Sequence, residues 1–243
     1  MDYAIIAAGE GSRLVRGGVA QPKPLVRLCG VPLVERLISV FLDNGAASIS
    51  VIVNESMTEV QDWLKRLRIP VPFHLRVQST PSSMHSFHAL SRYLQGECFC
   101  LTTVDTVFRE DEFRRYIRAF EALPACRFDG LMAVTDFVDD EKPLHVKTDE
   151  EGTIQAFLDR PDAGSRYVSG GIYCLRRSAL TVLDTALAEG VSRMRNYQRR
   201  LIAGGLRLKA FPFGQIIDVD HPADIAKAEK LLSREESRKW LAE

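Results

Sequence analysis

The first half of the chain alternates largely apolar runs with stretches whose apolar residues recur at helical spacing. Continuous apolar runs are typical of buried parallel strands, and apolar residues three and four positions apart are typical of amphipathic helices. The predicted strands cover residues 3–8, 48–54, 73–78 and 98–104. The predicted helices that follow them cover residues 32–43, 57–67, 85–94 and 111–123. This β-α-β-α order predicts a mostly parallel, doubly wound α/β sheet with helices on both faces.

Local signals predict where several of these elements begin and end. Pro32 suits the first turn of its helix, and Asn44-Gly45 suits the end of that helix. Ser56 and Glu59 have the S-x-x-E spacing of a capping box, which predicts a side-chain cap at the start of the next helix. Glycines and two prolines fill residues 9–30, so this segment is predicted to be one long loop.

The second half is less regular than the first. Predicted strands cover residues 130–138, 167–175 and 206–213, and a hairpin is predicted over 143–157 around the turn Asp149-Glu150-Glu151-Gly152. Predicted helices cover residues 178–188, 193–202 and 222–232, and a charged tail follows over 233–243. Because no internal repeat or linker composition interrupts the chain, we expect one domain over residues 1–243.

The loop after the first strand carries the strongest chemical signal. In open α/β sheets, ligands bind beyond the carboxyl ends of the strands, which points to the loops after Ala8, Gln78 and Val104. The first loop reads Ala7-Ala8-Gly9-Glu10-Gly11-Ser12-Arg13-Leu14, and Pro22-Lys23-Pro24-Leu25 follows it. Glycines let backbone N–H groups approach a phosphate, arginine can donate paired hydrogen bonds to phosphate oxygens, and prolines stiffen the segment around a lysine. Together these features suit a triphosphate.

Two common phosphate-binding fingerprints do not fit this loop. Leu14 stands where the dinucleotide-binding G-x-G-x-x-G motif needs its third glycine, and no Gly-Lys-Ser/Thr string is present for a P-loop.

Composition narrows the class of protein further. Lys and Arg number 32, as do Asp and Glu, so the formal net charge is zero, and 46% of the residues are hydrophobic. Such a composition excludes disordered chains and argues against a protein that coats nucleic acid or an anionic membrane. Five cysteines without C-x-x-C spacing indicate buried thiols in a reducing compartment. No apolar stretch approaches the ~20 residues of a membrane span and no basic signal-peptide region is seen, so we expect a cytoplasmic protein.

The full string of motifs resembles a known family. A-A-G-x-G-S-R-L, then P-K-P-L, then Gly30-Val31-Pro32-Leu33-Val34-Glu35-Arg36 resembles the sugar-1-phosphate nucleotidyltransferases, also called nucleoside-diphosphate-sugar pyrophosphorylases. The resemblance is strongest over residues 4–38. It implies a single Rossmann-like α/β/α domain of the glycosyltransferase-A type, with a nucleotide-binding half over about 1–125 and an acceptor-binding half over about 126–232. It also implies Mg²⁺ as cofactor.

The resemblance assigns roles to particular residues. It implies catalytic roles for Arg13 and Lys23, and Mg²⁺ ligands at Asp105 and Asp218, with Asp220 as the alternative second ligand or a helix cap. The nucleotide-binding positions are Ala8, Gly9, Gly11, Ser12, Gln78, Ser82 and Ser83. The acceptor-binding positions are Arg160, Gly171 and Tyr173.

Three departures from the family pattern bear on the substrates. Ser83-Met84 and His85 replace the usual Gly-Thr and Ala of the nucleobase loop, and these bulkier side chains are expected to narrow the base pocket. Arg160 stands at a family lysine, and Ser169 at a family asparagine.

The implied reaction is in-line attack of an acceptor phosphate on the α-phosphorus of an NTP, with release of pyrophosphate. Because a phosphate nucleophile is already ionised near neutral pH, catalysis depends on positioning and charge neutralisation. Alternative readings are a phosphocholine or inositol-phosphate cytidylyltransferase of the same fold, a non-catalytic regulatory or scaffold homologue, and a glycosyltransferase with Asp218-Val219-Asp220 as its D-x-D motif. The expected partners are an NTP and a phosphorylated small molecule, with neither nucleic acid nor membrane. A homo-oligomer is left open as a further option.

Charge is unevenly distributed along the neutral chain. Residues 9–27 carry a net charge of +3, from Arg13, Arg16, Lys23 and Arg27 against Glu10. Residues 218–224 carry a net charge of −3, with His221 neutral. We expect the fold to bring these two segments together around a polyphosphate and its Mg²⁺.

Overall fold

The computed structural model describes residues 1–139 and 141–239. Its strands are β1 (Asp2–Ala7), β2 (Arg27–Leu28), β3 (Val31–Pro32), β4 (Ser48–Val53), β5 (Phe73–Val77), β6 (Cys98–Thr103), β7 (Thr106–Val107), β8 (Gly130–Thr135), β9 (His145–Thr148), β10 (Ile154–Leu158), β11 (Tyr167–Arg176), β12 (Leu208–Phe213) and β13 (Ile217–Asp218). Its α-helices are α1 (Ser12–Arg16), α2 (Leu33–Asp43), α3 (Thr58–Arg66), α4 (Ser83–Ser91), α5 (Glu110–Glu121), α6 (Ser178–Ala188), α7 (Met194–Ala203) and α8 (Pro222–Lys239).

A large mixed sheet forms the centre of the molecule, in the order β10-β9-β11-β6-β1-β4-β5, with β8 paired to β11 and β12 to β8. The pairs β6-β1, β1-β4 and β4-β5 are parallel, as predicted for the first half. The long strand β11 joins the two halves, because it runs antiparallel to both β6 and β8.

Helices cover both faces of this sheet, which confirms the predicted α/β/α layering. Successive residues of β1 show why: Tyr3 and Ile5 belong to one buried apolar cluster, and Ala4 and Ile6 to the other. Side chains alternate across a strand, so a strand that is apolar throughout supplies two cores at once. The first cluster includes residues of α2, α3, α5 and α8, and the second includes residues of α4, α6 and α7.

Three local predictions were wrong. Residues 9–30 are not one loop, because they contain α1, a 3₁₀ turn at Lys23–Leu25 and the strand β2, which pairs with β3. Ser56 does not cap α3: Met57 is the N-cap residue without a side-chain bond, and Ser56 binds the Asn54 side chain instead. The predicted tail is helical as far as Lys239, and residues 240–243 lie outside the described part of the chain.

Among the described residues, no helix is both long and apolar enough to cross a lipid bilayer.

Candidate active site

A cavity of about 540 Å³ opens where the four parallel strands of the first half end. It is lined by Ile6, Ala8, Gly9, Glu10, Gly11, Ser12, Arg13, Lys23, Asn54, Thr80, Pro81, Ser82, Ser83, Ser86, Thr103, Val104, Asp105 and Asp220. Ala8 follows β1, Asn54 follows β4, Thr80 lies after β5, and Thr103 ends β6. The cavity therefore lies at the carboxyl edge of the sheet, where the sequence placed the ligand site.

Gly11 shapes the loop at this edge. It adopts the left-handed conformation (φ 62°, ψ 29°) as the N-cap residue of α1. A Cβ at this position would lie 2.9 Å from the Cβ of Lys23. Glycine is needed here for two reasons, since a side chain would be strained by the backbone angle and would also displace Lys23.

Lys23 lies almost buried at the floor of the cavity, with 7% of its surface exposed. Its Nζ donates hydrogen bonds to Asp105 Oδ2 and, at 2.5 Å, to Asp220 Oδ1. Burial alone would lower the lysine pKa, but the charges of Asp105 and Asp220 and their hydrogen bonds raise it overall. Lys23 is therefore a fixed positive charge at neutral pH.

Arg13 supplies a second positive charge at the mouth of the cavity. Its Nη1 lies 2.9 Å from Asp220 Oδ2, and its Nη2 lies 4.0 Å from Glu141. About half of the Arg13 side chain (47%) is exposed, so its guanidinium can turn toward a ligand.

A small antiparallel ladder brings together carboxylates that lie more than 100 residues apart. Strand β13 pairs with β7, which places Asp218 opposite Thr106. The Val219 N–H then donates to the Asp105 carbonyl at 3.0 Å. Because Arg13 and Lys23 both contact Asp220, the basic loop of residues 9–27 and the acidic segment of residues 218–224 meet, as their charges predicted.

The carboxylates Asp105 and Asp218 fit a divalent cation. Asp105 Oδ1 is buried without a hydrogen-bond partner. The Asp218 side chain is exposed at the cleft, and desolvation by the surrounding protein together with the negative charge of Asp105 raises its pKa to about 7. Mg²⁺ prefers carboxylate oxygens of this kind, and a cation between the two groups would relieve their repulsion. Within residues 1–139 and 141–239, however, no preformed group of three or more His, Cys, Asp or Glu ligands is found.

A second cavity of about 470 Å³ adjoins the first. It is lined by Arg13, Thr135, Phe137, Asp139, Glu141, Pro143, Val168, Ser169, Gly170, Ile216, Asp218, Asp220, His221, Ala223, Asp224 and Lys227. Arg13 and Asp220 line both cavities, so these two side chains mark the junction. Lys227 binds Asp139 at 2.6 Å and Asp224 at 3.2 Å. The lining is nevertheless rich in carboxylates, and Phe137 contributes an aromatic ring to it.

Most predicted site residues converge on these cavities. The predicted phosphate loop, Lys23, Ser82, Ser83 and Asp105 line the first cavity, and Asp218 lines the second. Of the three altered residues in the base loop, Ser83 lines the first cavity. Met84 is buried in the core and His85 Nδ1 lies 2.9 Å from Ser82 Oγ, and neither side chain lines the cavity.

Four predicted binding residues lie outside both cavities. The Gln78 side-chain oxygen accepts two hydrogen bonds from Arg76. Tyr173 is buried, with its hydroxyl 3.3 Å from the Gln198 amide nitrogen. Gly171 has a positive φ (73°) beside Thr106, and Arg160 is exposed.

The structure adds lining residues that sequence patterns did not indicate. Asn54 and Thr80 contribute to the first cavity, and Phe137, Glu141 and Lys227 to the second. The available signal was position, because Asn54 is the last residue of a predicted strand, as Ala8 is, and so belongs to the same sheet edge.

Comparison with known proteins places this site in context. The chain is 22% identical over 235 residues to the bifunctional protein GlmU of Methanococcus maripaludis, covering 94% of this chain and 53% of GlmU. It thus spans about half the length of that relative. The inositol-1-phosphate CTP transferase of T. maritima has the same fold, with a TM-score of 0.80, 21% identity and coverage of 97% and 96% of the two chains. A putative glucose-1-phosphate thymidylyltransferase of Bacillus anthracis is similar, with a TM-score of 0.80, 18% identity and coverage of 95% and 94%.

The family assignment rests on a separate match to a family model, which includes every residue lining the first cavity except Asp220. The MobA-like NTP transferase domain matches residues 3–201, and the chain belongs to this family.

Proposed function

We propose that this protein transfers a nucleotidyl group from an NTP to a sugar-1-phosphate. The observation that carries the proposal is the junction of the two cavities, which Arg13 and Asp220 both line. Lys23 lies beside Asp105 on the side of the first cavity, and Asp218 lines the second. The first cavity has room and charge for the NTP, and the second adjoins it as the acceptor site. An oxygen of the acceptor phosphate attacks the α-phosphorus, the α–β phosphoanhydride bond breaks, and pyrophosphate leaves.

The residues on the two sides of the junction have separate tasks. Backbone N–H groups of the glycine loop and the guanidinium of Arg13 hold the β- and γ-phosphates, and Arg13 neutralises charge on the departing pyrophosphate. Lys23 lies deeper, beside Asp105, and holds the α-phosphate. Because the nucleophile is already ionised, no residue needs to act as a general base.

Asp105 and Asp218 would hold Mg²⁺. When bound, the ion supplies charge neutralisation and alignment of the reacting phosphates. Since NTPs are cytoplasmic metabolites, we place the reaction in the cytoplasm, as the sequence predicts.

A second acceptor class is favoured by the lining of the second cavity. Carboxylates from Asp139, Glu141 and Asp224, together with the ring of Phe137, suit an ammonium headgroup as well as the hydroxyl groups of a sugar or inositol. The T. maritima structure shares this fold and is named for an inositol-1-phosphate substrate. Phosphocholine and inositol phosphate are therefore the alternative acceptors.

A substrate matrix tests both proposals. The four NTPs are combined with sugar-1-phosphates, inositol-1-phosphate and phosphocholine in the presence of Mg²⁺, and pyrophosphate release is measured. Release with a sugar-1-phosphate supports the main proposal. Release with phosphocholine but not with its neutral isostere, 3,3-dimethylbutyl phosphate, supports an acceptor cation bound by the carboxylates. No release with any pair contradicts the proposed function and favours a non-catalytic homologue.

A further inference from the structure

Asp220 binds both cations that the proposed function assigns to the nucleotide. Its Oδ1 accepts from Lys23 Nζ at 2.5 Å and its Oδ2 accepts from Arg13 Nη1 at 2.9 Å. One carboxylate therefore bridges the two positive groups that flank the phosphate loop. No other described carboxylate makes contacts of hydrogen-bond length with both.

The position of Asp220 is set by the start of α8 and not by these cations alone. The backbone N–H of Asp220 donates to Asp224 Oδ2 at 3.2 Å, and the next N–H, of His221, donates to the same oxygen at 2.7 Å. Pro222 then packs against Gly17 at the end of α1, where even a Cβ would lie 2.4 Å from the proline ring. These contacts fix the backbone of Asp220 beside the phosphate loop.

The Asp220 carboxylate also lies where the substrate is proposed to bind. Asp220 lines both cavities, and 38% of its side chain is exposed, so a ligand can reach its contacts. Lys23 also has Asp105 as a partner, so the ammonium stays paired if Asp220 is displaced. An anionic triphosphate needs Arg13 and Lys23, and their hydrogen bonds to Asp220 must be exchanged for hydrogen bonds to phosphate oxygens.

We propose that the Asp220 carboxylate takes the place of the nucleotide phosphates in the ligand-free protein. It binds Arg13 and Lys23 until the phosphates of an incoming nucleotide replace it as their partner. The inference rests on the proposed function. Asp220 is a positioning residue in this scheme: it competes with the nucleotide for the two cations, and it keeps both cations aimed at the place where the phosphates bind. Removing its charge should tighten nucleotide binding and slow turnover.

Nucleotide affinity without metal is the direct test. Each of the four NTPs is titrated by calorimetry into the wild-type protein, Asp220→Asn and Asp218→Asn, all in EDTA. The titrations are run at about pH 8.5, above the raised pKa of Asp218, so that this group is ionised. Asp218→Asn is then the matched control, since it removes one negative charge from the same cleft, although Asp218 has no hydrogen bond or ion pair with Arg13 or Lys23. We expect Asp220→Asn to bind the preferred NTP about five- to tenfold more tightly, which lies within the roughly 2- to 30-fold range that two partly exposed ion pairs supply. Asp218→Asn should gain clearly less.

Steady-state kinetics with Mg²⁺ provide the second readout. Asp220→Asn should lower KM for the NTP, because no carboxylate then competes with the phosphates for Arg13 and Lys23. It should also lower kcat, because Asp220 no longer positions the Arg13 guanidinium. Loss of a residue that only stabilises the fold would lower the melting temperature without lowering KM for the NTP.

Two results overturn the inference. In the first, Asp220→Asn gains no more affinity for the NTP than Asp218→Asn does, or it binds the NTP more weakly than the wild-type protein. Either outcome shows that the phosphates do not specifically replace Asp220 as the partner of Arg13 and Lys23. This failure is distinct from failure of the proposed function, in which the wild-type protein binds no NTP even with Mg²⁺; that result would contradict both.

Discussion

Replacement of Gly11 by alanine tests whether the phosphate loop positions Lys23. At φ 62° and ψ 29°, an L-residue in place of glycine costs roughly 1–2 kcal/mol. For a chain of this length, that cost lowers the melting temperature by about 2–8 °C. Backbone strain is only the first consequence of the substitution.

The second consequence is displacement of the lysine. The new methyl group would lie 2.9 Å from Lys23 Cβ. Carbon atoms in contact prefer about 3.5–4.0 Å, so the two segments must separate by roughly 0.6–1 Å. The contacted atom is at the base of the lysine side chain, so rotation of the ammonium end cannot relieve the clash. A misplacement of about 1 Å at a catalytic group costs roughly 10²-fold in rate, and we expect kcat to fall by that factor.

Gly18→Ala is the matched control for this experiment. Gly18 also has a positive φ (89°), but nothing lies within 4 Å of the position that its Cβ would take, and it lines neither cavity. It should show a comparable loss of melting temperature with an unchanged kcat. Differential scanning fluorimetry and pyrophosphate release are measured on both variants. If the two variants lose stability and activity to the same extent, the loop does not act by positioning Lys23.

Three further predictions follow from the site. Lys23→Ala and Asp105→Ala should each lower pyrophosphate release by about 10²–10³ while far-UV circular dichroism stays unchanged; near-normal release from Asp105→Ala would contradict its role as a metal ligand. The Asp218 pKa is raised to about 7, so the metal-free folded protein binds more protons than the unfolded chain between about pH 4 and pH 7, and its stability falls as pH rises through that window. Urea unfolding in EDTA should show this fall in the wild-type protein and a flatter profile in Asp218→Asn; parallel profiles would refute the assignment. Gly17→Ala places a methyl group 2.4 Å from the Pro222 ring and should cost about 1–3 kcal/mol of stability, measured by the same unfolding assay; an unchanged midpoint would show that α1 and α8 do not depend on this contact.

The parallel half of the sheet could be predicted because its signal is local. Runs such as residues 3–8 are apolar at every position, and a run of that length followed by glycine is typical of a strand buried on both faces. Short polar segments carried no such signal. The turn around Lys23 and the ladder β7-β13 are each two or three residues long, and tertiary contacts hold them in place.

The capping-box error has a local origin instead. Ser56 and Glu59 have the right spacing, but Asn54 offers a side-chain oxygen that accepts hydrogen bonds from both the N–H and the hydroxyl of Ser56. Asx turns compete with helix caps for the same groups, and spacing alone cannot show which will form. Helix α3 begins at Thr58 without a side-chain cap.

The sequence by itself determined the fold class, the glycine loop at the end of the first strand and the residue types that neutralise a polyphosphate. These properties depend on the periodicity of apolar residues and on the chemistry of neighbouring residues, and both can be read from short stretches of the sequence. Only the tertiary structure decided that Asp220 binds both Arg13 and Lys23, that Gln78 turns toward Arg76, and that carboxylates line the second cavity. Those contacts join segments up to about 200 residues apart, and their geometry depends on how helices and strands pack rather than on any local pattern.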